Sequence, residues 1–167
     1  RVVHIIDSLG RGGTQRQLVL MARGLRDLGW EQQVWALNDD SDAEICKQMA
    51  EFAKVVVLGK LSVATGLGAL RFLRHCRQWR PELIQTFLPV SDIFGRFLGR
   101  VHGNAKIVTG IRSVNFQKNA FQFWLDRRSM PWAERVIFNA GGLVDYTCEH
   151  EGAVRDRCVV IPNCIEW

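Results

Sequence analysis

The sequence predicts an α/β protein: a Rossmann-like, doubly wound, mainly parallel sheet of about seven strands with helices on both faces. Three observations predict it. Short apolar runs rich in β-branched residues alternate along the chain with segments of helical periodicity. The runs are continuous rather than alternating with polar residues, the pattern of strands covered on both faces. Glycine, proline and asparagine mark the changeovers. A length of 167 residues suits one domain, and 47% hydrophobic with 23% charged residues suits a packed core. That composition excludes disorder, collagen and coiled coil.

Val2–Asp7 reads as the first strand, followed by the glycine-rich turn Ser8–Gly13. Thr14 stands where a helix cap is expected; Leu18, Ala22, Leu25 and then Leu28 or Trp30 recur at near-helical spacing up to Gly29. Gln33–Leu37 is the second strand, and Asn38–Asp42 a loop rich in capping side chains before a helix over Ala43–Phe52. Lys54–Leu58 is the third strand, bounded by Gly59. Ser62–Trp79 reads as one helix, with Leu67, Leu70, Leu73 and Cys76 or Arg77 along its buried face and Pro81 stopping it. Glu82–Phe87 is the fourth strand, and Pro89 punctuates the turn after it. Asp92–Val101 reads as a helix with Ile93, Phe94, Phe97, Leu98 and Val101 turned inward. The fifth strand runs from Lys106 to Thr109 or Ile111, before a largely helical aromatic stretch over Asn115–Trp132. Strand Arg135–Phe138, helix Gly142–Glu149 and strand Cys158–Ile161 complete the series, closed by Pro162-Asn163.

The net charge of +5 is uneven: residues 71–128 hold eleven Lys/Arg against three acids, a balance of +8, and the remainder is at −3. Such a cationic middle suits an anionic partner (phosphate, nucleic acid or anionic lipid) or is a set of solvated helix faces. No DNA- or RNA-reading motif accompanies it, so nucleic acid is not an expected partner. Five cysteines (46, 76, 148, 158 and 164), an odd number without a CxxC pair, read as buried thiols of a reducing cytoplasm. With no His at metal spacing, no metal is expected. Apolar runs such as Val55–Leu58 are too short to span a bilayer, and no charged-then-apolar leader opens the sequence. The start without Met and the stop at Ile165-Glu166-Trp167 lead us to expect a longer parent chain.

Doubly wound sheets bind ligands at the carboxyl ends of their strands, where connections leave in opposite directions. The loop Gly10-Arg11-Gly12-Gly13-Thr14 stands at such an end. Its glycines admit positive φ and close backbone approach, and the helix start behind it offers unpaired N–H groups and the positive dipole end to phosphate. The spacing is neither GxGxxG nor GxxxxGK[ST], so neither a standard dinucleotide site nor a P-loop is indicated. Without a ligand the same residues are a tight turn. Arg112, after the fifth strand, is either a bidentate phosphate partner or a surface arginine. Gln85 and Thr86 offer neutral hydrogen bonds suited to sugar hydroxyls or satisfy nearby backbone, and Asp92 and Asn115 serve as helix caps in the simplest reading. No GxSxG elbow or Cys–His pair is present, and His4, His75, His102 and His150 read as structural or solvent-facing.

Five segments in order carry a resemblance. They are Val3-His4-Ile5-Ile6-Asp7-Ser8-Leu9-(x)2-Gly12-Gly13-Thr14-Gln15-Arg16-Gln17-Leu18 with Leu25-(x)3-Gly29-Trp30-Glu31-Gln32-Gln33-Val34; Pro81–Phe87; Asp92–Arg100; Lys106–Ser113; and Cys158–Glu166. Together the chain resembles the amino-terminal, acceptor-side domain of family 4 retaining glycosyltransferases with the GT-B fold. The resemblance implies that residues 1–161 form that domain and 162–167 begin a connector to a carboxy-terminal donor-binding domain. It implies transfer of a sugar from a nucleotide-sugar donor to a glycan or lipid-linked acceptor in cell-surface polysaccharide, lipopolysaccharide or glycolipid synthesis. The nucleotide-sugar is then a substrate, no cofactor is expected, and the chain alone is incomplete as a catalyst.

By position, the resemblance places Gly12, Gly13 and Thr14 at the donor diphosphate and Gln15, Gln85, Thr86 and Ser113 toward the acceptor. Arg112 falls where many relatives carry a catalytic-pocket His. A guanidinium cannot shuttle a proton at neutral pH, so Arg112 would act by stabilising charge on the leaving diphosphate. In such retaining enzymes the leaving diphosphate itself helps the acceptor attack on the same face. Gln85 and Phe87 depart from the family's "HTH", and Cys164 replaces a connector glycine. Relatives working on lipid-linked sugars imply a cytoplasmic protein at the inner face of the membrane. Phe116, Phe121, Phe123, Trp124, Met130 and Trp132, interleaved with Lys118, Arg127 and Arg128, would suit anionic lipid or simply form a core helix. Two other readings fit the residues: a non-catalytic nucleotide- or phosphate-binding module, and a peripheral membrane interaction domain built on 115–132.

Overall fold

Seven runs of three to six residues become strands: β1 (Val2–Ile6), β2 (Gln32–Ala36), β3 (Lys54–Val57), β4 (Leu83–Phe87), β5 (Lys106–Ile111), β6 (Arg135–Phe138) and β7 (Cys158–Val160). In the computed structural model, which describes residues 1–113 and 118–164, they form one all-parallel sheet in the order β3-β2-β1-β4-β5-β6-β7. The connecting helices are α1 (Gly13–Asp27), α2 (Ala43–Phe52), α3 (Lys60–Ala64), α4 (Leu67–Trp79), α5 (Pro89–His102), α6 (Ala120–Ser129) and α7 (Gly142–Tyr146). The chain winds outward from β1 to β3 and then returns to β4 on the other side of β1. The crevice between the carboxyl ends of β1 and β4 is therefore the switch point of the sheet.

Alternate residues of the central strands feed two cores. Ile6, Val34 and Ala36 pack with Leu18, Ala22 and Met49 of α1 and α2. Val3, Ile5, Trp35 and Ile84 pack with Phe72 and Cys76 of α4. His4 lies inside β1, its Nε2 3.2 Å from Gln32 Oε1, and burial lowers its pKa to about 4, so the ring is neutral.

The expected Ser62–Trp79 helix is two helices, broken at Thr65-Gly66 where Gly66 takes φ +78. The inner stripe of α4 is Gly68, Phe72 and Cys76, so Leu67 and Leu70, expected inside, are 62% and 66% exposed. In α5 the buried positions are Ser91, Asp92, Gly95, Arg96 and Gly99, while Val101 is exposed. The cause is close approach. A Cβ at Gly95 would collide with Thr86 Cγ2 and stand 3.1 Å from Ile5 Cδ1, and one at Gly99 would stand 2.9 Å from Ile107. Small residues bring α5 onto the sheet, and its larger apolar side chains splay to the flanks. Thr14 does not cap α1, which begins at Gly13 with Gly12 at the cap position.

Within the expected 115–132 helix, residues 114–117 lie outside the described residues. The helical part begins at Ala120 behind an Asn119/Gln122 capping box and ends in a 3-10 turn, Met130–Trp132. Trp132 packs edge-on against Phe97 at 4.9 Å, and Met130 is buried. The expected Gly142–Glu149 helix is α7 continued by a π-helical turn, Thr147–Glu151. Among the described residues no helix is long and apolar enough to cross a membrane.

Candidate functional site

At the crevice, Asp7 ends β1 and its carboxylate accepts the N–H of Ser91 at 2.6 Å and that of Val90 at 3.4 Å. It thereby caps α5 from outside the helix; burial raises its pKa, and these N–H donors oppose the rise. The turn between β4 and α5 passes through Leu88 at φ +78, a strained conformation for a side-chain-bearing residue. On the other flank, Arg11 pairs with Asp42 at 2.6 Å, and Asp42 caps α2, fixing the outer edge of the Ser8–Gly13 loop.

The start of α1 differs from those of α2, α5 and α6: no side chain caps it and its first turn holds no acid. Gly12 has extended backbone and none of Gly10, Gly12 and Gly13 has positive φ, so dihedral freedom is not what the loop requires. Space is. A Cβ at Gly12 would collide with Gln15 Oε1, whereas at Gly13 it would meet nothing within 4 Å. Gln15 is buried and donates to Ser8 O at 3.1 Å, bracing the loop from within. The result is an open, uncapped helix start at the switch point, able to receive an anion through backbone N–H groups.

Arg112 donates to Asn163 Oδ1 at 2.7 Å and lies over the Phe87 ring at 5.7 Å, with Nε buried and unpartnered. Burial lowers its pKa. Cys164 is clamped as well: Gln17 donates to Cys164 O at 2.7 Å and accepts from Cys164 N at 2.8 Å. Residues 163–164 thus bridge the end of β5 and the second turn of α1, bringing Arg112 and the loop of Gly12 and Gly13 to one edge. Ser113 is exposed beside them. Gln85 and Thr86 are not brought to this edge. Both are buried, Gln85 in register with His4 and Thr86 donating to Thr109 Oγ1 at 3.2 Å.

Between α5, α6 and the π-helical turn lies a buried charge network that the sequence reading did not identify; of its members only Asp92 was singled out, as a helix cap. Arg96, fully buried, ion-pairs with Asp126 and donates to Ser129 Oγ at 3.0 Å. Lys118 reaches Asp126 at 2.8 Å and Glu151 at 2.5 Å. Burial pulls the Lys118 pKa down, but the two carboxylates more than reverse this. Asp92 is a third carboxylate against two cations; burial raises its pKa to about 7, only partly opposed by Arg96. The one sequence sign of the network was Arg96 four residues after Asp92 on the glycine-bearing side of α5. The contacts of Gln17 and Asn163 left no local signal, because their partners lie 147 and 51 residues away.

A concavity of about 820 Å³ lies between α1 and α2 instead of over Gly13; Arg11, Gln17 and Cys164 link the two. Its walls carry both signs of charge, so the open helix start remains the better anion seat. Among the described residues no group of His, Cys, Asp and Glu is placed to hold a metal ion.

The sequence profile of Glycosyltransferase Family 4 matches residues 11–166. No curated protein matches the sequence. Among solved structures, Alr3699/HepE from Anabaena in complex with UDP is similar at TM-score 0.79 and 13% identity, covering 99% of this chain and 44% of that one. A glycosyltransferase from Rickettsia africae is similar at TM-score 0.74 and 16% identity, over 96% of this chain and 42% of that one. The lipopolysaccharide outer core galactosyltransferase WaaB is similar at TM-score 0.73 and 11% identity, over 99% of this chain and 46% of that one. The chain therefore spans less than half the length of these relatives.

Proposed function

Because this chain belongs to glycosyltransferase family 4, we propose that it is the acceptor-side lobe of a retaining, nucleotide-sugar-dependent glycosyltransferase. Its acceptor is a glycan or lipid-linked sugar of cell-surface polysaccharide, lipopolysaccharide or glycolipid synthesis. The observation that carries the donor reading is the uncapped start of α1, with no first-turn acid and open space at Gly13. A donor diphosphate set there is held by backbone N–H groups and the helix dipole, and charge that grows on it as the sugar leaves is stabilised without rearrangement. Thr14 borders the same seat, Gln15 shapes it from below, and Arg112 adds positive charge to the shared edge while fastening the connector. Gln85 and Thr86 act on this site only as support for β4. Ser113, being exposed, is the residue of the fifth loop open to an acceptor.

The reading fits the structural likeness to HepE, which binds UDP, and to WaaB, an outer core galactosyltransferase. It requires a second, donor-binding lobe after residues 162–167 and no metal. The test is a full-length protein assayed against a panel of nucleotide-sugars, with the anomeric configuration of the product read by NMR. Transfer with retention is expected, and Gly13→Val should cut turnover at least tenfold while folding persists, since only a ligand would meet the new side chain. Unchanged turnover removes the loop from the mechanism. Tight nucleotide binding by this chain alone, with no transfer by the full-length protein, returns the chain to a non-catalytic binding module.

The membrane part of the reading rests on a wider surface than 115–132. In α3 to α6 both carboxylates, Asp92 and Asp126, are buried, so every exposed charge is positive, including Arg71, Arg74, Arg77, Arg100 and Arg128. Leu67, Leu70 and the stacked pair Phe121–Trp124 are exposed on the same helices. Apolar tips among unopposed cations suit anionic lipid at the inner face of a membrane. Sedimentation with vesicles that is indifferent to anionic lipid and to salt removes this element.

A further inference from the structure

Of the five thiols, Cys76 is fully buried and burial raises its pKa to about 12, which makes it inert. Two others meet: Cys148 on the π-helical turn and Cys158 at the head of β7 stand with their sulfurs 3.9 Å apart. Both are only partly buried, at the rim of the cluster formed by Val136, Phe138 and Ala153. They are ten residues apart in sequence. We propose that Cys148 and Cys158 are a reversible dithiol–disulfide pair, oxidised by small-molecule disulfides such as oxidised glutathione.

The local chemistry sets the order of events. Burial first, and the neighbouring Cys148 second, raise the Cys158 pKa to about 11, with Arg155 opposing. The Cys158 thiol also donates to Val154 O at 3.4 Å, a hydrogen bond that holds its proton in place, so the exchange opens at Cys148. The Cys148 thiolate attacks one sulfur of oxidised glutathione, its S–S bond breaks, and one glutathione thiolate leaves. Cys158, relieved of the neighbouring thiol's influence, gives its proton to solvent and attacks the Cys148 sulfur of the mixed disulfide. The second glutathione thiolate leaves and the intramolecular bond forms. The protein loses two electrons and two protons, and two reduced glutathiones result. Closure needs the sulfurs to move from 3.9 Å to about 2.05 Å.

Its position gives the bond a consequence. β7 is the edge strand, and the chain passes from it through Ile161, whose N–H donates to Phe138 O at 2.8 Å, to the clamped residues 163–164. Oxidation ties the root of this connector to the π-helical turn, so the pair reports redox state to the part of the chain that leaves the sheet.

The test equilibrates the chain carrying Cys164→Ser in glutathione buffers of graded ratio, quenches with acid, alkylates and digests with trypsin. Cleavage after Arg135, Arg155 and Arg157 places Cys148 in peptide 136–155 and Cys158 in the peptide that begins at residue 158. The expected result is a linked pair of these peptides, titrating with the glutathione ratio and lost on adding dithiothreitol, with Tm about 5 °C higher in the oxidised form. Cys158→Ser should accumulate a glutathione adduct on Cys148 that the parent does not retain. Full alkylation of both cysteines at the most oxidising ratio overturns the proposal, as does a lasting adduct on Cys148 in the parent. If Cys158→Ser fails to fold, the peptide map of the parent decides alone.

Discussion

Replacing Asp92 with Asn should change the pH dependence of stability in a calculable way. Asp92 is buried, with Oδ1 unpartnered, beside a network whose two cations already face Asp126 and Glu151. A third negative charge there is uncompensated, which is why burial raises its pKa from 3.8 to about 7. Between those values the native state holds a proton that the unfolded chain has released. The favourable contribution is complete below the unfolded value and is lost as pH rises through the folded one. Asn cannot ionise. The stability of the variant relative to the parent should therefore rise across this window by roughly 4 kcal/mol, at about 1.4 kcal/mol per unit. His4 has the opposite sign: its pKa falls from 6.5 to about 4, so its contribution grows as pH rises over that range. In the parent the two groups nearly cancel; in Asp92→Asn the His4 slope is exposed. Urea unfolding followed by tryptophan fluorescence from about pH 4 to pH 8 measures both profiles. Parallel profiles separated by a constant offset would refute the assignment of Asp92 as the neutral member of the network.

Gly95→Ala places a methyl group against Thr86 and Ile5 and should destabilise the chain by about 1–3 kcal/mol in urea unfolding, with α5 displaced from β4. Arg96→Met removes the cation from the Asp126 side of the network and should cost about 3–5 kcal/mol, because a buried carboxylate loses its bidentate-capable partner. Gln17→Ala leaves the core intact and should cost no more than about 1 kcal/mol, yet it should accelerate hydrogen exchange at the Cys164 N–H, whose acceptor is Gln17 Oε1.

The seven strands, the parallel sheet and a binding edge at the strands' carboxyl ends follow from features that sequence displays locally: continuous β-branched runs and helical segments long enough for crossover connections. The faces of α4 and α5 were not legible, because periodicity ranks positions by the size of apolar side chains. Packing of α5 ranked them by closeness, and Gly95 and Gly99 come nearest the sheet because they are small. The glycine loop was legible in place and misread in cause: Gly12 leaves room for Gln15 and does not use positive φ. The ion-pair partners of Lys118 and Arg96 were not legible because they come from other elements, and the partner of Arg112 was not because Asn163 lies far along the chain.

The distribution of constraints around the crevice follows from the same contacts. α5 is fixed at its start by Asp7 of β1 and at its middle by Arg96, which reaches α6, so the β1–β4 side of the crevice is held by buried polar partners. The strained turn at Leu88 is sustained by that over-determination, since Asp92 N and Ser91 Oγ both donate to Leu88 O. Residues 163–164, by contrast, are exposed and held by the side chains of Gln17 and Arg112. Exposed hydrogen bonds of this kind exchange readily with water, whereas breaking the buried Arg96 pair leaves a charge stranded. In the two-lobed enzyme proposed above, movement of the second lobe against this one falls on Asn163 and Cys164, and the uncapped start of α1 stays where the sheet puts it.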